Sequence, residues 1–247
     1  MHMQYKKNGI MKMFIDHMRG TPFHPQWLVF NNNKKNYSEI AGFINGIILD
    51  IGCSDKQINK YLSSGCQYIG LDYYKTAIEW YGSKPETFGD AQNLPFADNC
   101  IDSVLLLDVL EHLPDPERCL DEVNRVLVGR GVFIILVPFL YPIHDPPLDF
   151  HRWTIFGLRK LVQRHGFKIV EEKHEGNPVE LAGLMMSIAL SKTVLNWFHQ
   201  KNPAAISVIF LPFIIFIINI STSILAYMSP QDGIMPWGYR LVLEKYK

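Results

Sequence analysis

The sequence predicts a doubly wound α/β domain with a mostly parallel sheet and an apolar helical insertion before its last strand. Three observations carry this. Apolar runs of strand length alternate with helical stretches over short connections, which is the pattern of a parallel sheet covered on both faces. Several of these runs end in an acid or a glycine, where a ligand of such a sheet would meet the backbone. A stretch from 204 to 228 carries no charged residue and is followed by a final alternating segment.

Residues 1–45 read as an N-terminal helical or lid segment. A short amphipathic helix is expected over 11–18, and Gly20-Thr-Pro-Phe-His-Pro25 is a turn-rich break. The polar run 31–36 reads as a loop. The regular pattern starts at Gly46. Strands are expected at 47–51, 68–72, 87–88, 101–107, 132–137 and 167–172. Helices are expected near 56–63, 75–81 and 116–127, and over 154–165 with Gly166 as the stop signal. The last strand is expected at 239–244, where apolar and polar residues alternate. The main domain then comprises 46–175 and 236–247, with 176–235 as an insertion.

At 247 residues the chain suits one large domain with such an insertion. Basic and acidic residues balance at 24 each, so no global basic field points to nucleic acid. Cys53, Cys66, Cys100 and Cys119 form no CxxC pair and have no histidine-rich spacing, so reduced thiols are expected rather than a disulfide or metal framework. The N-terminus has lysines without a continuous apolar core, which argues against a signal peptide.

Asp50 and Gly52 close the first strand, and Asp72 closes the second some twenty residues on, the distance at which a carboxylate meets ribose hydroxyls. Asp90-Ala91 follows Gly89 after the short third strand. No second or third glycine follows Gly52, so a pyrophosphate is not accommodated there. The set points to an adenosine ligand.

These motifs, Leu-Asp-Ile-Gly-Cys (49–53), Gly-Leu-Asp (70–72), Gly-Asp-Ala-x-x-Leu-Pro-Phe (89–96) and Ile-Asp-Ser-Val followed by Asp-Val-Leu-Glu-His-Leu (101–113), carry a resemblance. Over 46–167 and again in the last strand, the chain resembles class I S-adenosylmethionine-dependent methyltransferases of the small-molecule, type 11-like kind. The resemblance implies a Rossmann-like seven-stranded sheet and S-adenosyl-L-methionine as cofactor. It implies that Asp50 and Gly52 hold the cofactor's amino-acid portion and that Asp72 takes the ribose, with Cys53 and Tyr73 also among the cofactor-binding residues. Asp90 and Ala91 would meet the adenine, and Asp108 would stand beside the methionine moiety, with His112 in the loop that follows. The sequence departs from the family where its loop is usually richer in glycine, because Ser54 and Lys56 stand there.

The loop after the fifth strand, 138–154, concentrates polar and aromatic residues between prolines. His144 is the preferred general base, with Asp145 or Asp149 to orient it, and His151 is the second choice. Tyr141, Asp145, Asp149 and Arg152 are the candidate substrate contacts. The competing reading is that these residues pin the loop, Asp149 with Arg152 as an ion pair and Asp145 as a turn former. No metal is expected. Residues 20–27 could fold over the cofactor as a lid or pack on the domain.

If the strands flanking the insertion share one sheet, both its ends return to the same side, which excludes a single membrane crossing. The preferred reading is a helical hairpin over 180–230 that anchors a cytoplasmic enzyme peripherally or monotopically on the inner face of a membrane. A homodimer interface or a greasy substrate channel is the alternative for this segment. The expected function is methyl transfer to an oxygen, nitrogen or carbon of a small or lipid-linked acceptor. The alternative is a non-catalytic membrane-associated module that retains the fold.

Overall fold

A computed structural model describes residues 18–229 and 233–247, so the helix expected over 11–18 lies almost wholly outside the described residues. Seven strands form one sheet: β1 (Ile47–Ile51), β2 (Gln67–Asp72), β3 (Thr87–Phe88), β4 (Ile101–Leu107), β5 (Leu127–Pro138), β6 (Phe167–Glu175) and β7 (Gly238–Lys245). Their order is β3-β2-β1-β4-β5-β7-β6. The strands from β3 to β5 run parallel, and β7 is antiparallel to both neighbours. The strand order reverses between β1 and β4, and a crevice opens there beyond the carboxyl ends of the strands.

The strand period of two splits the core cleanly. Leu49, Ile51, Val104, Leu106, Phe133, Ile135, Leu241 and Leu243 face one side, with α2 (Pro116–Val126) and α3 (Ile155–Arg164). Ile48, Leu105, Ile134 and Val242 face the other, against Ile40 of α1 (Trp27–Ala41). Both faces are covered, which is why these strands read as continuous apolar runs.

The structure departs from the sequence reading in four places, the first being that β5 begins at Leu127 and not at 132. The run 31–36, read as a loop, lies inside α1. Its asparagines are poor helix formers, but tertiary contacts override them: Lys173 Nζ donates to Asn36 Oδ1 at 3.2 Å, and Asn32 Nδ2 donates to Glu175. One turn on, Glu39 accepts from Lys173 at 2.7 Å and pairs with Arg240 at 2.8 Å. The helix expected near 56–63 is only the 3₁₀ segment Gln57–Tyr61. β6 runs on to Glu175, through a charged stretch that suits an edge strand.

The insertion forms two helices, α4 (Pro178–His199) and α5 (Leu211–Met228), joined by the 3₁₀ segment Pro203–Ile209. Asn177 and Glu180 close a capping box at the start of α4. The two helices cross closely at Gly183, where a Cβ would sit 2.7 Å from Thr222 Cγ2. Asn219 of α5 donates to the carbonyls of Pro22 at 2.7 Å and His24 at 3.0 Å, so the segment 20–27 is tied to the hairpin.

Candidate active site

Where β1 ends, Gly52 turns the chain with φ of +73°, and a Cβ there would lie 2.3 Å from Val109 Cγ2. Only glycine lets the turn after β1 approach the turn after β4 so closely. The amides of Gly52 and Cys53 both donate to the Leu71 carbonyl, at 2.7 and 3.2 Å, folding this turn over the end of β2. Ser54 and Lys56 hold φ of +43° and +56°. They take the left-handed backbone expected of glycines at these positions, at a cost of about 1 kcal/mol each.

Asp72 joins the two loops. Its Oδ2 accepts from the Ser54 amide at 3.1 Å, and its Oδ1 accepts from the Tyr73 amide at 2.7 Å and Thr76 Oγ1 at 2.9 Å. Behind Thr76, the segment Lys75–Tyr81 is wound as a π-helix, a geometry often found beside functional sites. A cleft of about 630 Å³ opens here. Gly52, Asp72, Tyr73, Asp90, Ala91, Asp108 and His112 all line it, together with Ser54, Thr76, Trp80 and Gln92. Asp90 is fixed by accepting from the Gln92 amide at 2.9 Å.

Two of the expected cofactor residues do not line this cleft. Asp50 lies buried beneath it and accepts from Tyr68 Oη at 2.6 Å. Burial pushes its pKa up to about 7, the Tyr68 bond opposes this, and the charges of Asp72, Glu86 and Asp55 add to it. Cys53 is buried behind Gly70, and burial pushes its thiol up to about 12.

Asp50 therefore carries a pH signature. A carboxyl whose pKa rises on folding keeps its proton in the native state from about 4 to about 7, so the native state binds more protons and stability falls as pH rises through that window. Asp50→Asn removes this loss, which at ~1.4 kcal/mol per pH unit amounts to at most about 4 kcal/mol. Urea unfolding is expected to show the variant gaining on the parent between pH 4 and 7. Parallel stability curves for the two proteins over that window would rule the assignment out.

A second chamber of about 220 Å³ adjoins the cleft and shares Phe30, Tyr81, Asp108, His112 and Asp145 with it. Tyr141, His144 and Glu111 complete its polar lining, with Glu175 and Trp237 behind. Asp108 takes φ of +55° at the junction. The residue is open to the cleft, yet desolvation of its carboxyl between the cleft walls raises its pKa, and the Glu111 charge adds to this while His144 opposes it. His112 places Nδ1 2.8 Å from the Leu148 carbonyl, and its ring meets that of His144 edge to face at 4.8 Å. His144 Nε2 lies 3.6 Å from Glu111 Oε1. Burial pulls the His144 pKa down, but Glu111, Asp149 and Asp145 outweigh it, and the net shift is upward.

Asp149 and Arg152 line neither cavity. They form a two-pronged ion pair, at 2.5 and 2.8 Å, and Asp149 Oδ2 also accepts from the His144 amide at 2.9 Å. This pair pins the loop that presents His144. Asp145 accepts from Tyr81 Oη at 2.6 Å and borders both cavities. Tyr141 lines the chamber and accepts from Gln26 Nε2. His151 lines neither cavity, its ring lying 5.2 Å from that of Trp153. No residue of 20–27 reaches either cavity; Val29, Phe30 and Asn33 of α1 do. Sequence reasoning did not single out Glu111, Tyr81 or Phe30 for the site. The acid of Glu-His-Leu-Pro (111–114) was the one available signal.

Residues 49–135 match the model of a family described as a methyltransferase domain. A Mycolicibacterium smegmatis protein described as a probable S-adenosylmethionine-dependent methyltransferase is 29% identical over 133 residues, which are 49% of this chain and 52% of that one. A demethylmenaquinone methyltransferase of Staphylococcus haemolyticus is 31% identical over 99 residues, 36% of this chain and 41% of that one. The chain thus spans about half the length of the curated relatives it matches. Among solved structures, a Galdieria sulphuraria protein described provisionally as a sarcosine dimethylglycine methyltransferase aligns with a TM-score of 0.51 and 16% identity. The alignment covers 90% of this chain and 84% of that one, a likeness of fold.

Proposed function

We propose that this chain, whose residues 49–135 match a methyltransferase-domain family, is a class I S-adenosylmethionine-dependent methyltransferase that transfers a methyl group to a small or lipid-linked acceptor at a membrane surface. The observation that carries the reading is the shared wall of the two cavities, where the 630 Å³ cleft adjoins the 220 Å³ chamber at Asp108 and His112. The cleft fits the cofactor. Its volume is in the range of small-molecule sites, Asp72 and Asp90 offer carboxylates, and Leu71, Ala91 and Leu113 offer apolar wall.

When bound, the cofactor supplies a methyl group on a sulfonium, an electrophile that needs no further activation. The residues of this chain do the rest by placement. Asp72, already anchored by three donors, takes the ribose hydroxyls, and Asp90 with Ala91 meets the adenine edge. Asp108 and His112 stand at the junction. Tyr141, His144 and Asp145 meet the acceptor, with His144 presenting Nε2, while the Asp149–Arg152 pair holds that loop in place. Phe30 and Tyr81 screen the junction from solvent.

The hairpin gives the enzyme its place in the cell. β6 and β7 are hydrogen-bonded neighbours, so the chain leaves and re-enters the sheet on the same side. α4 and α5 are long and apolar enough to cross a membrane by length and composition. The exposed apolar side chains of α5 and of the 3₁₀ segment before it fit shallow insertion into the inner leaflet, beside an acceptor carried by the lipid.

Calorimetric titration with S-adenosylhomocysteine tests the enzymatic reading. Micromolar binding to the full chain is expected. No heat of binding at millimolar ligand would overturn it in favour of a non-catalytic module.

A further inference from the structure

We propose that Glu111, His112 and His144 form a binding site for one divalent metal ion of the zinc type, in the wall of the acceptor chamber. The inference goes beyond methyl transfer and does not depend on it; with the ion bound, His144 Nε2 is a ligand and the open position of the ion meets the acceptor in its place. No metal is expected from the sequence alone, because the three donors are not spaced as a local motif and only the fold joins them.

The donor geometry comes first. One ligand atom from each of the three residues lies within 4.8 Å of the others. His112 Nε2 and His144 Nε2 stand 3.7 and 3.6 Å from the same oxygen, Glu111 Oε1. A tetrahedral ion with ligands at ~2.1 Å separates its donors by about 3.4 Å, so the two edges to Glu111 need a contraction of a few tenths of an ångström, and the edge between the imidazoles, which lies within 4.8 Å, closes by rotation of the two rings. These gaps are too long for hydrogen bonds.

Glu111 is the second observation. It is 0% exposed, and neither of its carboxylate oxygens has a hydrogen-bond partner among the described residues. A buried carboxylate left unmatched in this way is costly, and a cation between it and the two imidazoles would satisfy it. Its backbone is held firmly, since the amides of Phe150 and His151 donate to the Glu111 carbonyl at 2.9 and 3.2 Å. Those two bonds also tie the Glu111 turn to the loop that carries His144.

The tautomers are the third. A backbone carbonyl only accepts, so the Leu148 carbonyl at 2.8 Å requires the hydrogen of His112 on Nδ1. At His144 the Pro142 carbonyl at 3.3 Å and Asp149 Oδ2 at 3.4 Å call for a hydrogen on Nδ1, whereas Arg152 Nη2 at 3.4 Å, which can only donate, calls for a lone pair there. Neutral His112 then presents its Nε2 lone pair towards Glu111, and His144 does the same in the tautomer that donates to the Pro142 carbonyl. Imidazoles whose outer N–H rests on a carbonyl or carboxylate are the usual form of metal-binding histidines. Arg152, 3.4 Å from His144 Nδ1, is already paired with Asp149, while Asp145 adds a carboxyl group to the chamber. Three protein ligands leave a fourth position for water or an acceptor oxygen.

The test uses the full chain stripped with a chelator and titrated with cobalt(II), read by visible absorption. One equivalent is expected to produce the intense bands of a four- or five-coordinate ion, and zinc to abolish them. Glu111→Gln and His112→Ala are each expected to weaken cobalt binding about a hundredfold or more. Because Glu111 is fully buried, each variant is first checked for its melting transition without metal. His144→Ala, at a partly exposed position, provides the same comparison if Glu111→Gln does not fold. No stoichiometric cobalt or zinc at millimolar metal, or binding that survives all three substitutions, would overturn the site. The readout is metal binding alone, so its failure leaves the cofactor reading intact, and a failed cofactor titration leaves this one intact.

Discussion

Asp72→Ala is expected to weaken S-adenosylhomocysteine binding at least a hundredfold, measured by calorimetry on the full chain. A bond to a charged acceptor contributes about 1.5–3 kcal/mol, and two ribose hydroxyls can share this carboxylate. Each ~1.4 kcal/mol is a tenfold change in affinity. The substitution also removes the acceptor of the Ser54 and Tyr73 amides and of Thr76 Oγ1, so part of the loss could come from a loosened loop. Two variants separate the contributions. Thr76→Val deletes one internal bond and keeps the carboxylate, and is expected to bind within about threefold of the parent. Asp72→Asn keeps the shape but can turn an N–H towards the Ser54 amide, and is expected to fall between the two. Should Asp72→Ala bind as well as the parent, the ribose assignment fails, whatever the loop does.

What was legible in the sequence follows from burial. β1, β4 and the second half of β5 are covered on both faces, so apolar runs alone locate them. β6 was traced only in part because its later residues sit at the sheet edge, where charged side chains are normal. α1 was hidden for a different reason. Its asparagines favour helix only through Lys173 and Glu175 on β6, contacts that no local pattern announces.

The same distinction divides the site. The acids at Asp72 and Asp90 were readable because strand ends deliver them directly to the cleft. Asp50 belongs to the same pattern, yet the period of two turns it to the face of Ile48, where it meets Tyr68. Ser54 and Lys56 looked like a defect, but the backbone takes the left-handed turns without glycine. Glu111 acquires its meaning only when the chain folds His144 back against it.

Serine at Phe213, Ile217 and Ile224 together is expected to move the protein from the floating to the bottom fraction in liposome flotation. The three residues lie on one stripe of α5, four and seven positions apart, and are 62%, 64% and 58% exposed. Ile215, Asn219 and Thr222 occupy the other side and hold the helix to the protein. Apart from the edge contact of Phe213 with Phe23 at 6.2 Å, the stripe can therefore be changed without touching the packing, whereas deleting 180–230 would also remove the buried Leu181 and Leu184. Burying each large apolar side chain contributes about 1.5–3 kcal/mol, so losing three changes partitioning by several powers of ten even after partial insertion is allowed for. There is no charged residue from 204 to 228 to oppose insertion, and Phe210, Tyr227 and Met228 extend the exposed apolar surface. The rival occupant of this surface is a second copy of the chain. It predicts that parent and variant remain equally in the bottom fraction, and that light scattering gives a dimer for the parent and a monomer for the variant. That pair of results would end the membrane reading, because the same exposed stripe would then be covered by protein rather than lipid.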